Sequence, residues 1–471
     1  MKRVVLASVL LASVPSASAA DFLDLFGMTY EVRRFDLTAE VTGMPNPLNP
    51  PQLLDLLEVE GAHYLGNDRL LLSTNHMAKF YGDGVTYSNW VVEVSIDRNA
   101  AGAITGLSFV RIAALNDMNL TPAPNDFDLD PGGLTINTGS VGIGANGGLV
   151  VANTETEELN AYDISGATPT QTTTGGFGID PPNDGLEDIV YHDGVFYTIH
   201  EDITFNGLSI EKFGPTGTHL GFFPIAGAVD AHQQGAPKGL TLLADVDTFP
   251  RAFQGEGGVL LVTLDDNHPG LQAFDLDGNL VGYEPLTVND VPFGAPLLDP
   301  GLVLGAPHVL QLESCASLPE DGTIVLVQQG SDNEANHIYF LVPTTRNYGD
   351  SCVGSNGQAA ELVVTGALVA NETVTFDLGG GLPFAHGLIL TSGGADSLLA
   401  GSCPLNLALP LLPLTIPLQL DANGEQLAGI LVPPTPAIPA GFALHFQAFF
   451  ADASTPDGFV GTQGAKVAAP K

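Results

Sequence analysis

Glu60-Gly61-Ala62-His63-Tyr64-Leu65-Gly66-Asn67-Asp68-Arg69-Leu70-Leu71-Leu72-Ser73-Thr74-Asn75 decides the fold, because the chain carries the same pattern twice. It returns as Glu187-Asp188-Ile189-Val190-Tyr191-His192-Asp193-Gly194-Val195-Phe196-Tyr197-Thr198-Ile199-His200-Glu201. Each copy runs from an acid through a short apolar strand ending in Tyr, a polar turn and a second apolar strand to polar residues. Weaker copies start at Gly133-Leu134-Thr135, Lys238-Gly239-Leu240-Thr241 and Glu313-Ser314-Cys315. A strand hairpin repeated along one chain predicts a β-propeller, since no single blade can bury its own faces.

The anchors at 60, 133, 187, 239 and 313 lie 73, 54, 52 and 74 residues apart. Blades of this kind need ~40–50 residues, so the two long intervals hold insertions or a further blade. About six blades are expected, with five to seven allowed by the spacing. A third strand follows each hairpin, as in Trp90-Val91-Val92-Glu93-Val94-Ser95-Ile96 and His337-Ile338-Tyr339-Phe340-Leu341-Val342. Thr29-Tyr30-Glu31-Val32-Arg33-Arg34-Phe35-Asp36-Leu37 has strand patterning without a hairpin before it. It is expected to close the ring against the last blade and so remove an exposed edge.

Lys2 and Arg3 precede an apolar run from Val4 to Val14, and Ala17-Ser18-Ala19 is a small-residue cleavage pattern. Residues 1–20 therefore read as a signal peptide. The expected location is secreted, periplasmic or cell-surface. Removing Lys2 and Arg3 from the 14 basic residues leaves 12 against 53 acidic ones, a net charge of −41. A chain so acidic repels nucleic acid and anionic membranes, which excludes both as partners. The apolar stretch Leu405 to Leu420 is broken by Pro410, Pro413 and Pro417 and reads as sandwich core, so no membrane span is expected. The chain is read as a monomer.

Composition changes after Pro343-Thr344-Thr345-Arg346. Residues 21–346 are assigned to the propeller and 347–471 to a small all-β, sandwich-like accessory domain. Of the 53 acidic residues, 9 lie from Asn347 onward, which leaves 44 to the propeller. Cys352 and Cys403 fall in the tail, and export favours a disulfide between them. Cys315 then remains inside a blade strand as a buried, inert thiol.

Three constellations could carry function. Glu60 and Glu187 stand at equivalent points of two inner strands, where they either converge on the channel to hold a cation or cap blade turns. Asn75, Asn153, His200 and Glu201 stand at the ends of second strands as companion channel or rim donors. Asp126-Phe127-Asp128-Leu129-Asp130 alternates like the start of a calcium-binding loop. Pro131 then occupies the required Gly position, so Asp126, Asp128 and Asp130 form either a non-standard calcium site or a solvated acidic loop. Asp265 and Asp266, at the end of a blade strand, are a rim candidate. The chain holds no Gly-x-Ser-x-Gly, no His-Glu-x-x-His and no phosphate-binding glycine loop. Any catalysis would be metal-assisted, with carboxylates holding an ion that polarises a phosphoryl or lactone oxygen.

Glu60-Gly61-Ala62-His63-Tyr64 and Gly185-Leu186-Glu187-Asp188-Ile189-Val190-Tyr191 resemble the Glu-Gly-Ile-Ala-Tyr element of two related propeller groups, the SdiA-regulated family and the phytase-like "esterase-like" domain. Pro237-Lys238-Gly239-Leu240-Thr241 is similar to their Gly-Leu-Thr variant. The resemblance covers residues 28–343 and implies an exported, calcium-associated propeller with Glu60 and Glu187 at the family's repeated acid. Lys238 and Gly133 stand where that acid is missing. From Tyr348-Gly349 through Cys403 the tail resembles a module recurrent on secreted bacterial proteins. Two functions are expected from these readings. One is a non-catalytic, calcium-stabilised protein that binds a ligand or partner, and the other is a metal-dependent hydrolase of phosphoesters or lactones.

Overall fold

The computed structural model describes residues 21–37, 59–74, 89–115, 131–153, 158–165, 170–176, 186–200, 209–225, 237–244, 248–250, 253, 257–264, 270–288, 291–292, 312–328, 336–434 and 437–470. The strands of residues 21–343 form antiparallel sheets in sequence order. Blade 1 runs Val59–Gly66, Arg69–Thr74, Asn89–Arg98, Ile104–Leu115. Blade 2 runs Pro131–Asn137, Gly148–Asn153, Glu158–Asp163, Thr170–Gly176, and blade 3 runs Leu186–His192, Val195–His200, Ser209–Phe213, His219–Pro224. Blade 4 is Pro237–Leu243, Val259–Leu264, Gly270–Asp275, Leu280–Pro285. Blade 5 takes Leu312–Leu318, Thr323–Gln328 and His337–Pro343 from its own segment, then Met28–Asp36 and Asp21–Leu25 from the other end of the chain.

The first strands meet in a circle: blade 1 beside 2, 2 beside 3, 3 beside 4, 4 beside 5, and 5 beside 1. Among the described residues the ring thus has five blades, the lower end of the sequence range and one fewer than the expected six. Each of the five repeat anchors lies on one inner strand. The 73- and 74-residue intervals hold long connections and the short pair Thr287–Val288 and Val291–Pro292, not a further described blade. Met28–Asp36 pairs antiparallel with His337–Pro343, from Tyr30 opposite Pro343 to Asp36 opposite His337. The N-terminal strand closes the ring, as its patterning predicts.

Tight turns set the inner hairpins. Asn67 and Asp68 take φ of 54° and 57°, and Asp193 and Gly194 take 45° and 84°. Positive φ at both central residues gives the turn twist that matches two antiparallel strands.

The second strands are apolar without alternation because both their faces are covered. Leu70 and Leu72 enter a cluster shared with Ala316, Val325 and Phe340 of blade 5, whereas Leu71 packs with Leu134, Leu149 and Tyr162 of blade 2. Val259 and Leu261 face blade 5, and Leu260 and Val262 face blade 3. Every seam between neighbouring blades has such a cluster.

Arginines stitch the closing seams. Arg98 reaches Asp68 at 2.7 Å within blade 1 and Asp321 of blade 5 at 2.9 Å. Arg111 binds buried Glu93 and donates to the Ile164 carbonyl beside blade 2 at 2.8 Å. Because Asp68 is well exposed, water screens much of the Arg98 network. Arg98→Met should therefore cost only about 1 kcal/mol in urea unfolding.

A second body follows without a linker. Thr345–Tyr348 is the edge strand of a sheet ordered with Gly464–Ala468, Ala443–Ala451, His386–Ser392 and Thr415–Gln419, to which Phe459–Gly461 adds. Glu361–Thr365, Thr373–Gly379 and Gln426–Leu431 form the facing sheet. Leu362, Phe376 and Ile430 of one sheet pack on Ile389, Phe446 and Val467 of the other, the aligned layers of a β-sandwich. Cys352 and Cys403 are joined, and Cys315 is a buried free thiol.

Candidate functional site

All five inner strands carry a break in register at the same step, near their beginning. The break skips Glu60 in blade 1, Gly132 and Gly133 in blade 2, and Glu187 in blade 3. It skips Lys238 and Gly239 in blade 4 and Glu313 in blade 5. A bulge re-aims side chains and leaves its extra residue outside the ladder. The repeated acid of the sequence is this bulge residue. Where it is replaced, Lys238 and Gly132 take the same place, so the glycine at the missing acid of blade 2 is Gly132 and not Gly133, which stands one step further on.

The residues at this step interact between blades. Lys238 Nζ lies 3.2 Å from Glu187 Oε1, both side chains being largely enclosed. The ammonium meets the carboxylate of the neighbouring blade. Glu313 is buried and Glu60 half-buried at the equivalent step.

One residue further along, the ring closes on itself. Gly61, Gly133, Asp188, Gly239 and Ser314 occupy this level, four of them small. Asp188 is wholly buried, and its Oδ2 accepts from the Leu240 amide of blade 4 at 2.8 Å and the Ser314 hydroxyl of blade 5 at 3.1 Å. Its Oδ1 accepts from the Ile189 amide at 2.7 Å. Ser314 Oγ in turn accepts from the Ala62 amide of blade 1 at 3.0 Å. On the remaining side a Cβ at Gly133 would stand 1.9 Å from Asp188 Oδ1, so only glycine lets blade 2 approach. One carboxylate and one hydroxyl thus bond blades 3, 4, 5 and 1 to one another, and blade 2 packs against the carboxylate through Gly133. Burial pushes the Asp188 carboxyl well above the usual range, while the bonds from Leu240, Ile189 and Ser314 oppose that rise.

The sequence candidates separate in the structure. Glu60 and Glu187 share the bulge step of their own strands. Asn153 and His200 end second strands opposite Pro131 and Leu186, beside that step, although their side chains are not described. Asn75, Asp126, Asp128, Asp130, Glu201, Asp265 and Asp266 lie outside the described residues. Among the described residues no three His, Cys, Asp or Glu side chains group so as to hold a metal ion. With Lys238 against Glu187 as well, the described axial ring does not fit a calcium ion.

Asp188 and Ser314 escaped the sequence reading. Their signal was present, since the step after the repeated acid is small in four copies and carboxylate in one. A lone acid among glycines at a crowded axis marks a side chain with a ring-wide task.

His63, three residues past the bulge of blade 1, is pushed down to about 4 by desolvation, and His445 of the sandwich is likewise lowered to about 4 by burial and by Lys466. Below 6.5 the unfolded chain takes up protons at these sites that the native chain refuses until about 4. Their contribution to stability is therefore lost as pH falls through that window. Asp188, raised by burial, acts in the opposite direction. His63→Gln and His445→Gln should each flatten the fall in denaturation midpoint between pH 6.5 and 4. An unchanged slope in both variants would refute the assignment.

No family model matches the chain, and no curated protein matches it. Among solved structures it is similar to a glucose dehydrogenase at 16% identity, covering 61% of this chain and 81% of that one, TM-score 0.31. The WD40 domain of Toxoplasma gondii coronin is 9% identical over 96% and 90% of the two chains, TM-score 0.28. The Trypanosoma rangeli sialidase is 12% identical over 87% and 81%, TM-score 0.30. The propeller assignment rests on sheet order and ring closure.

Proposed function

We propose that this chain is an exported binding propeller, a distant member of the SdiA-regulated and phytase-like group, that holds a ligand or protein partner at the end of the ring where the inner strands begin. The observation that carries the reading is the bulge repeated in all five inner strands. It places Glu60, Glu187, Lys238 and Glu313 at equivalent steps, one residue above a level spanned by Asp188 and Ser314. That arrangement gathers charged side chains at one end of the inner strands, which supports a recognition site there. Binding is favoured over catalysis because the described acids are engaged, Glu187 by Lys238 and Asp188 by three donors. Export is supported by the signal-peptide pattern and the disulfide.

Calcium belongs to this proposal through the acidic segment Asp126, Asp128 and Asp130, and not through the described axial ring. At a free ion concentration 100 times its dissociation constant, such a site stabilises the fold by about 2.7 kcal/mol. Chelation at fixed ionic strength should lower the melting temperature, and Asp126→Asn should abolish the shift while Glu187→Gln leaves it. A melting temperature indifferent to chelator in the unaltered protein would remove calcium from the reading. A screen of phosphoesters and lactones with and without chelator tests the binding assignment itself. Chelator-sensitive turnover would replace it with a metal-dependent hydrolase.

A further inference from the structure

The ladder that closes the ring ends at Tyr30 opposite Pro343, yet Thr29, one residue further, is bonded through its amide, its carbonyl and its hydroxyl. Its amide donates to Thr345 Oγ1 at 2.9 Å, and its carbonyl accepts from the Thr344 amide at 2.8 Å and the Thr344 hydroxyl at 3.0 Å. Its own hydroxyl donates to Asp24 at 2.5 Å and accepts from the Gly366 amide at 2.7 Å. Both backbone groups and the hydroxyl of a buried residue are satisfied, and all partners except Asp24 come from the junction or the sandwich. Thr344 is itself sewn to the sandwich, because its carbonyl accepts from the Ala468 amide of the last sandwich strand at 2.8 Å. Thr345 opens the sandwich sheet opposite Val467, and Gly366 follows the strand Glu361–Thr365.

We infer that the C-terminal sandwich is a lock on ring closure, gripping the N-terminal strand through Thr29 so that the propeller cannot open at its seam without the two bodies parting. The strand Met28–Asp36 carries the covalently remote pair of blade 5, since it alone joins Asp21–Leu25 to His337–Pro343. Strands held only by their ladders are where local opening begins. A second grip beyond the end of the ladder removes the frayed end from which such opening would start. Gripping at Thr29 and not at the far end also fixes the hairpin Asp21–Leu25, whose Asp24 shares the Thr29 hydroxyl.

Hydrogen exchange on the full chain tests this. Thr29→Val keeps strand shape and β-branching but removes the hydroxyl's two bonds. Thr345→Val removes the acceptor for the Thr29 amide without touching the propeller. Each should raise exchange of the amides in 28–36 at least tenfold. Exchange in 186–200 of blade 3 and in 386–392 of the sandwich should stay as in the unaltered protein. Unchanged exchange in 28–36 would overturn the lock, and so would a uniform rise across 186–200 and 386–392. If Thr29→Val fails to fold, Thr345→Val alone decides.

Discussion

Asp188→Ala is expected to cost about 3 kcal/mol or more, from three buried donors at about 1 kcal/mol or more each, and to lower the melting temperature of the propeller more than any other single change at the axis. The substitution strips acceptors from the Leu240 amide, the Ile189 amide and the Ser314 hydroxyl in a site without solvent. Each buried donor left unpaired costs about 1–3 kcal/mol. Asp188→Asn should fall between, because an amide nitrogen would face donors where a carboxylate oxygen now accepts. Ser314→Ala removes one donor to Asp188 and the acceptor for Ala62, so its cost is smaller. The double change Asp188→Ala with Ser314→Ala should be less than additive, since the two belong to one network. Urea unfolding of the four proteins measures this. A loss below about 1 kcal/mol for Asp188→Ala would show that the five blades are held by their apolar seams alone.

The second large effect lies in the sandwich. Cys352 and Cys403 are 51 residues apart, and a loop of that length contributes about 4 kcal/mol through the restricted unfolded chain. The native surroundings are ordered on both sides of the bond. The Cys352 amide donates to Gly461 at 2.8 Å, and the Asn406 amide donates to fully buried Gln447 at 2.9 Å. Cys352→Ser with Cys403→Ser should lower the sandwich's unfolding midpoint, while the melting of the blade 3 strands shifts far less. Because the sandwich grips Thr29, amides in 28–36 should lose protection together with it. A sandwich equally stable with and without the bond would refute the prediction.

The fold was legible in the residues because one acid-strand-turn-strand pattern recurred along the chain. Leu70-Leu71-Leu72 and Val259-Leu260-Leu261-Val262 are apolar at every position, and a strand apolar on both faces requires a neighbour on each side. The Asn67-Asp68 and Asp193-Gly194 turns set hairpin length, and the repeated acid set where each inner strand begins. The closing role of Met28–Asp36 followed from a strand pattern outside the repeats, although the hairpin it makes with Asp21–Leu25 was not read from the residues. The disulfide followed from two cysteines in the tail of a chain that opens on a signal-peptide pattern. These are local properties, decided by side-chain size, polarity and φ preference within a few residues.

What only the tertiary structure decided depends on groups brought together from distant segments. The number of blades was open, because long connections and an extra blade lengthen an interval equally. Only the meeting of blade 5 with blade 1 closes the count. The partner of Glu187 is Lys238, 51 positions on, and Asp188 bonds Ser314 at a separation of 126. Thr29 is held by Thr345 across 316 positions. No spacing rule in one sequence reports such pairs, because the bond depends on a register and an approach fixed by the whole ring. By itself the sequence determined which strands form and which faces they bury. The burial of Asp188 at the axis, the neutralisation of Glu187 and the grip on Thr29 were decided by the closure of the ring, which alone sets how near these groups stand and how little water reaches them.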